Sequence, residues 1–343
     1  MPPDAALTSP LQVSPAAVPL QQGPGGGAGS ARGHAGAPVS SPRVPSLHTP
    51  SRRVPTPGAV LELLKPITWF PPMWAYACGM VSSGAPLGAR FWAIFGGIVL
   101  AGPVLCGTSQ AINDWFDRHV DAINEPRRVI PSGRMPGRWG LGVAVTGSAL
   151  SLALAALLGP WVLAAATLGL ALAWAYSAPP FRLKRDGWAG PGAVALAYEG
   201  LPWFTAAAAA LGTLPDGRIV ALAALYALGA HGIMTLNDFK AVEGDRALGL
   251  RSLPVRYGVD TAARLACAVM ALPQIAVAAL LLGWGHPVHA ALLGALLVAQ
   301  GACMARLLRA PRERAPWYNA TGTGLYVSGM MVAALALRAG GAS

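Results

Sequence analysis

From Ile67 onward the chain alternates long apolar stretches with short polar connections. The apolar stretches fall near 67–83, 91–112, 139–157, 160–177, 189–211, 218–236, 264–282, 288–308 and 317–338. Most approach the roughly 20 residues a helix needs to cross a bilayer core of about 30 Å. A backbone in lipid must satisfy its own hydrogen bonds, so the pattern predicts an all-α integral membrane bundle of about nine transmembrane helices. Two of them are separated only by Gly159-Pro160, a tight turn that Pro helps to end. Residues 1–57 differ: they are Pro, Gly, Ala and Ser, with Asp4 the only acid. No run there is apolar enough for a span or a signal-peptide core, and the composition predicts a disordered tail. Scarce acids and few Arg also suit an organelle transit peptide, whereas the Ala/Gly/Arg usage throughout favours a bacterial tail. The expected organisation is a tail, 1–57, and one membrane domain, 58–343.

Composition narrows the class. Of 343 residues, 54% are hydrophobic and 11% charged, with a mean hydropathy of +0.48. A soluble domain carries about 25% charged residues, so a soluble enzyme is excluded. The net charge of +11 would point to nucleic acid if it formed one patch. It does not: with nine helices, all of the 25 basic residues except Arg90, Arg218 and Arg338 fall on one side. The positive-inside rule makes that side cytoplasmic, together with the N-terminus, in a bacterial cytoplasmic or intracytoplasmic membrane. The partner read from charge is a lipid bilayer, with no nucleic acid. Cys78, Cys106, Cys267 and Cys303 are scattered through apolar stretches and read as small buried hydrophobes.

The acids are few and concentrated. After the second helix runs NDWFDRHVDAINEPRRVIPSGR, from Asn113. Asp114, Asp117 and Asp121 stand at i, i+3 and i+7, which on a helix places three carboxylates on one face. Their mutual repulsion is relieved by a divalent cation, and Mg²⁺ takes carboxylate oxygens while keeping water and phosphate oxygens as further ligands. A second stretch, NDFKAVEGDRALGLRSLPVRYG from Asn237, repeats Asn-Asp with Asp245 seven residues after Asp238. The candidate metal ligands are therefore Asp114, Asp117, Asp121, Asp238 and Asp245, with Asn113 and Asn237 orienting phosphate oxygens. Glu243 lies well off the Asp238/Asp245 face and is a secondary candidate.

On the same side, YSAPPFRLKRDG from Tyr176 presents Arg182, Lys184 and Arg185. Arg118, Arg128, Lys184 and Lys240 are the leading diphosphate contacts, with Arg182 and Arg185 secondary. Acids for metal and bases for phosphate, at the mouth of an apolar bundle, point to ionisation of an allylic lipid diphosphate, the leaving group stabilised by Mg²⁺ and cations. Trp69, Phe70, Trp74, Trp203 and Phe204 are candidate aromatic shields for the carbocation. His231, in the sixth helix, is either an acceptor contact or a packing residue, and His119 sits in the acidic loop. The alternatives are another class of membrane protein, a transporter or a pigment-binding protein. A transporter would carry its charges near the bilayer midplane, where Glu199 stands nearly alone.

The NDxxDxxxD pattern at Asn113–Asp121 and its partner at Asn237–Asp245 resemble the UbiA superfamily of intramembrane prenyltransferases, over about residues 58–343. NEPRRVIPSGRMPGRWG from Asn124, YSAPPFRLKRDG and HGIMTLNDFKAVEGDRALGLRSLPV from His231 resemble its chlorophyll synthase branch. The continuation from Arg134 is closer to the bacteriochlorophyll synthase side of that branch. Val129 departs from the branch, which usually has Pro there. The resemblance implies a central prenyl-diphosphate cavity, Mg²⁺ as cofactor, geranylgeranyl or phytyl diphosphate as donor and bacteriochlorophyllide a as acceptor. Chlorophyllide, a quinone precursor or haem are alternative acceptors, and other pigment-pathway enzymes are possible partners. A propionate acceptor is already ionised near neutral pH, so it needs no strong general base.

Overall fold

In the computed structural model, residues 54–86, 88, 91–247 and 249–340 are described. The expected tail lies outside them up to residue 53. The described chain is helical almost throughout. Helix α1 is Pro57–Leu64 and α2 is Phe70–Ser82. The long helices are α3 (Phe91–Asn124), α4 (Trp139–Leu158), α5 (Pro160–Ser177), α6 (Ala189–Leu211) and α7 (Gly217–Asn237). Two short helices, α8 (Val242–Ala247) and α9 (Leu253–Tyr257), precede α10 (Val259–Gly283), α11 (Pro287–Leu307) and α12 (Pro311–Gly340). Among the described residues eight helices are long and apolar enough to cross a membrane. The ninth expected span falls on α2, whose 13 residues reach about 20 Å, between Lys65, bonded to Asp114 at one end, and Ala85, whose carbonyl accepts from Arg338 at the other.

The turn at Gly159-Pro160 forms as expected: Gly159 has φ +124°, open to glycine, and Pro160 starts α5, where a missing N–H costs nothing. Helix α7 packs on α10, α2 on α6, α11 on α12, and α3 on α4. The largest core cluster is built from α2, α6, α7, α10, α11 and α12 around fully buried Trp203, Tyr226, Tyr318 and Tyr326. Small residues let backbones approach: a Cβ on Gly79 of α2 would lie 2.1 Å from the Trp203 carbonyl oxygen of α6. A second, smaller cluster holds α1 against α3 and the 125–138 loop through Leu63, Ile112, Val129 and Met135. Val129 is thus a core residue of that loop.

Two spans contain π-helical segments, Leu100–Cys106 in α3 and Leu196–Gly200 in α6. Pro103 lies in the first, where the wider turn accommodates its missing donor.

The start of α6 is tied down by Asp186. Its Oδ1 accepts from the backbone N–H groups of Trp188 and Ala189, both at 2.9 Å. The Ala189 and Trp188 bonds hold its carboxyl below the ordinary range. We expect Asp186→Ala to lower stability by about 1 kcal/mol near neutral pH. A depressed folded-state pKa contributes stability above the unfolded value, near 3.9, that is lost as pH falls through the folded value. The variant and the parent should therefore unfold at different temperatures at pH 7 and converge in acid.

Candidate active site

One large cavity, about 1040 Å³, opens among α2, α3, α5, α6 and the ends of α7 and α8. It stands at the upper end of the ~300–1,000 Å³ usual for ligand pockets. Its depth is mostly apolar, with Leu100, Leu105, Ala166, Leu172 and Leu201 in the walls, and its mouth is charged.

Helix α3 continues unbroken past its apolar part to Asn124, so the first acidic motif is helical, as its spacing predicts. The face it presents is shifted from the expected one. At about 100° per residue, Asn113, Asp117 and Asp121 follow one another in steps of about 40° and line the cavity together. Asp114 lies at the edge of this face and is not part of the cavity wall. It is 3% exposed, bonded to Lys65 Nζ at 2.6 Å and to Arg128 at 3.4 Å, which fastens α1 and the 125–138 loop to α3. Asp114, expected among the metal ligands, is here a buried ion-pair partner, apart from the cavity face that carries Asp117 and Asp121.

The second motif is no continuous helix. α7 ends at Asn237, a 3₁₀ turn covers Asp238–Lys240, and α8 starts at Val242. The break still delivers Asn237, Asp238 and Asp245 to the cavity. Ser252 donates to Asp245 Oδ2 at 2.7 Å and lines the cavity beside it. Burial raises the Asp245 carboxyl above its usual range, and this hydrogen bond offsets part of the rise. Glu243 points away: it is exposed and ion-paired with Arg312, whose hydrogen bond holds its carboxyl below the ordinary range.

The cations divide similarly. Arg128, Arg182, Lys184 and Arg185 line the mouth. Lys184 pairs with Asp117, and Arg128 with Asp121 at 2.9 Å. Arg118 instead donates to the Trp115 carbonyl at 2.6 Å and lies over the Trp115 ring, while Lys240 is exposed and outside the cavity wall. Neither of these two expected diphosphate contacts stands in the cavity wall. His231 is buried, 3.2 Å from the Trp188 carbonyl oxygen and packed on the Trp188 ring. His119 reaches the mouth.

The expected aromatic shields are also elsewhere. Trp69, Trp74 and Trp203 spend their indole N–H groups on Leu64 O, Val327 O and Ser82 Oγ, and none of the five lines the cavity. The cavity aromatics are Phe116, Tyr176 and Tyr198. Sequence reasoning missed Tyr198, Gln110 and Ser252. Gln110, three residues before Asn113, was recoverable from the same helical face.

The loop bearing Arg182, Lys184 and Arg185 is stitched to the one bearing Ser252. Gly187 N–H donates to Arg251 O, and Arg251 N–H to Arg185 O, both at 2.9 Å. A Cβ on Gly187 would lie 2.6 Å from Leu253 N and 2.7 Å from Arg251 O, so only glycine permits this contact.

The mouth's donors include those a hard cation takes, the carboxylates of Asp117, Asp121, Asp238 and Asp245 and the amide oxygens of Asn113 and Asn237, with cations for a phosphate alongside. Among the described residues no three carboxylate, histidine or cysteine side chains already converge on one point. The carboxylates are instead arrayed around the mouth, two of them held by Lys184 and Arg128.

Residues 68–329 match the UbiA prenyltransferase family. The chain is 60% identical over 293 residues to the bacteriochlorophyll synthase 33 kDa chain of Cereibacter sphaeroides, covering 85% of this chain and 96% of that one. It is 39% identical over 297 residues to the chloroplastic chlorophyll synthase of Oryza sativa, covering 80% and 76%. A UbiA homolog from Archaeoglobus fulgidus, solved bound to DMAPP and Mg²⁺, shares the fold with a TM-score of 0.64 at 21% identity, covering 82% of this chain and 99% of that one. The chain belongs to the UbiA prenyltransferase family and is a multi-pass membrane prenyltransferase of bacteriochlorophyll synthesis.

Proposed function

We propose that the chain transfers a geranylgeranyl or phytyl group from its diphosphate to the propionate carboxylate of bacteriochlorophyllide a. The observation that carries this reading is the cavity itself, mostly apolar in its depth and ringed at its mouth by Asp117, Asp121, Asp238, Asp245, Arg128 and Lys184. A hydrocarbon tail fits the depth and a diphosphate the mouth. Mg²⁺ held by Asp117, Asp121, Asp238 and Asp245, with Asn113 and Asn237, supplies charge neutralisation of the diphosphate. Arg128 and Lys184, with Arg182 and Arg185, stabilise the charge that grows as the C1–O bond breaks and the electron pair leaves with the diphosphate. The acceptor carboxylate then forms the new C1–O bond, giving an ester and free diphosphate with no proton to remove. Phe116 and Tyr176 are the aromatic faces available to the allylic cation.

On the positive-inside reading this mouth lies on the cytoplasmic side of a bacterial cytoplasmic or intracytoplasmic membrane, and residues 58–343 act as one catalytic domain. Purified protein given geranylgeranyl diphosphate, Mg²⁺ and, in separate reactions, bacteriochlorophyllide a, chlorophyllide, a quinone precursor or haem tests the reading. Ester formation with bacteriochlorophyllide a, abolished by chelation, is the expected result. Turnover of a quinone precursor or haem in its place would overturn it, and pigment binding without consumption of the diphosphate would return the chain to the binding-protein class.

A further inference from the structure

The two π-helical segments meet. Cys106 closes the one in α3, and Tyr198 stands in the middle of the one in α6. Gln110 Nε2 donates to the Tyr198 hydroxyl oxygen at 2.7 Å, and Cys106 Sγ lies 3.4 Å from it. Thr68, Cys106, Ser109, Gln110 and Tyr198 all line the cavity, below the charged mouth. Cys106 stands seven residues before Asn113 on α3, about 10 Å deeper. The wall that α5 contributes at Ala165, Ala166, Gly169, Leu172 and Ala173 carries no polar side chain.

A hydrocarbon tail has no use for hydroxyl and amide groups, and covering them without a partner is costly. The Tyr198 hydroxyl accepts from Gln110, so its own proton remains to be donated; the protein groups beside it are the Ser109 hydroxyl, which gives its own proton to Cys106 O at 2.7 Å, and the Cys106 sulfur. The sulfur nearby is a weak acceptor that a carbonyl outcompetes. Local π segments are frequent at functional sites, and this pair places one donor inside the cavity.

We propose that the Tyr198 hydroxyl, held by Gln110, is the hydrogen-bond donor to a keto or ester oxygen on the ring periphery of the acceptor. The acceptor then lies along the α3–α6 wall with its carboxylate at the mouth, and the prenyl chain lies along α5. This assignment rests on the tetrapyrrole reading above.

The test is a titration of full-length protein in detergent with bacteriochlorophyllide a, followed by pigment absorbance, for the parent, Tyr198→Phe and Gln110→Met. Loss of one net hydrogen bond raises the acceptor Kd about five- to tenfold in Tyr198→Phe. Gln110→Met, which leaves the hydroxyl in place but unheld, has a smaller effect of the same sign. The KM for prenyl diphosphate and the unfolding temperature stay at parent values. A macrocycle lacking the ring carbonyl binds the parent and Tyr198→Phe equally. An unchanged acceptor Kd, a raised donor KM, or a fall in kcat alone overturns the assignment. If the parent itself consumes prenyl diphosphate but binds no tetrapyrrole, the functional reading fails and takes this one with it. That outcome is visible before any variant is made.

Discussion

Replacing Asp117 by Asn is expected to lower prenyl transfer by about 100-fold or more, while the protein still accumulates in the membrane. The side chain keeps its shape and loses only its charge. Asp117 lies in the centre of the cavity-facing stripe of α3, between Asn113 and Asp121, and it holds Lys184 in place. The substitution therefore removes a carboxylate from the cation set and frees the lysine that stands beside the phosphate position. Both changes fall on groups that act as charge separates, so the loss should appear in kcat and kcat/KM alike. Raising Mg²⁺ should recover only part of it. Glu243→Gln is the internal control: Glu243 is also a carboxylate and belongs to the same pair of motifs, yet it is exposed and engaged with Arg312, so turnover should match the parent. Radiolabelled product formation in isolated membranes checks both. Near-normal turnover in Asp117→Asn would sink the assignment of the stripe.

Gly79→Val should prevent accumulation of folded protein. The added Cβ would sit 2.1 Å from the Trp203 carbonyl oxygen and 2.7 Å from Ala206 Cβ. The first of these is main chain in the middle of a helix and has no rotamer by which to yield. α2 and α6 would have to separate, opening the layer that buries Trp203 and its bond to Ser82. Overpacking commonly costs about 1–3 kcal/mol, and a clash with backbone belongs at or above the top of that range. Gly142→Val separates this effect from helix propensity. Gly142 lies on an exposed part of α4, with nothing within 4 Å of an added Cβ, and should be tolerated. Fluorescence-detected size-exclusion profiles of the two variants give the comparison directly.

Much of this architecture was legible in the chain because membrane burial imposes length and polarity on each segment separately. The apolar stretches, the turn at Gly159-Pro160 and the two acidic motifs are local signals and reappear in the structure. What escaped was directional. Spacing placed Asp114, Asp117 and Asp121 on one face but could not say where the face is centred. A difference of about 60° between Asp117 and Asp114 is enough to turn the latter into the cluster around Lys65 and Arg128. Likewise, the seven-residue interval from Asp238 to Asp245 is crossed by a 3₁₀ turn and a new helix, and still converges on the cavity. The aromatic shields were misplaced because a tryptophan in an apolar stretch gives no sign of facing a ligand or a neighbouring helix. Trp203 does the latter. The π segments, and with them Tyr198, depend on how α3 and α6 pack, which no local pattern encodes.

The stitching of Gly187 to Arg251 has a consequence for exchanging parts between relatives. The loop from 178 to 188 and the segment from 245 to 256 share two backbone hydrogen bonds and a contact that tolerates no side chain. They form a single heritable module although more than fifty residues separate them in the chain. A chimaera that imports one without the other would misalign Lys184 against Asp117 and Ser252 against Asp245 at once. Specificity transplanted between members of this family should therefore survive only when both segments travel together.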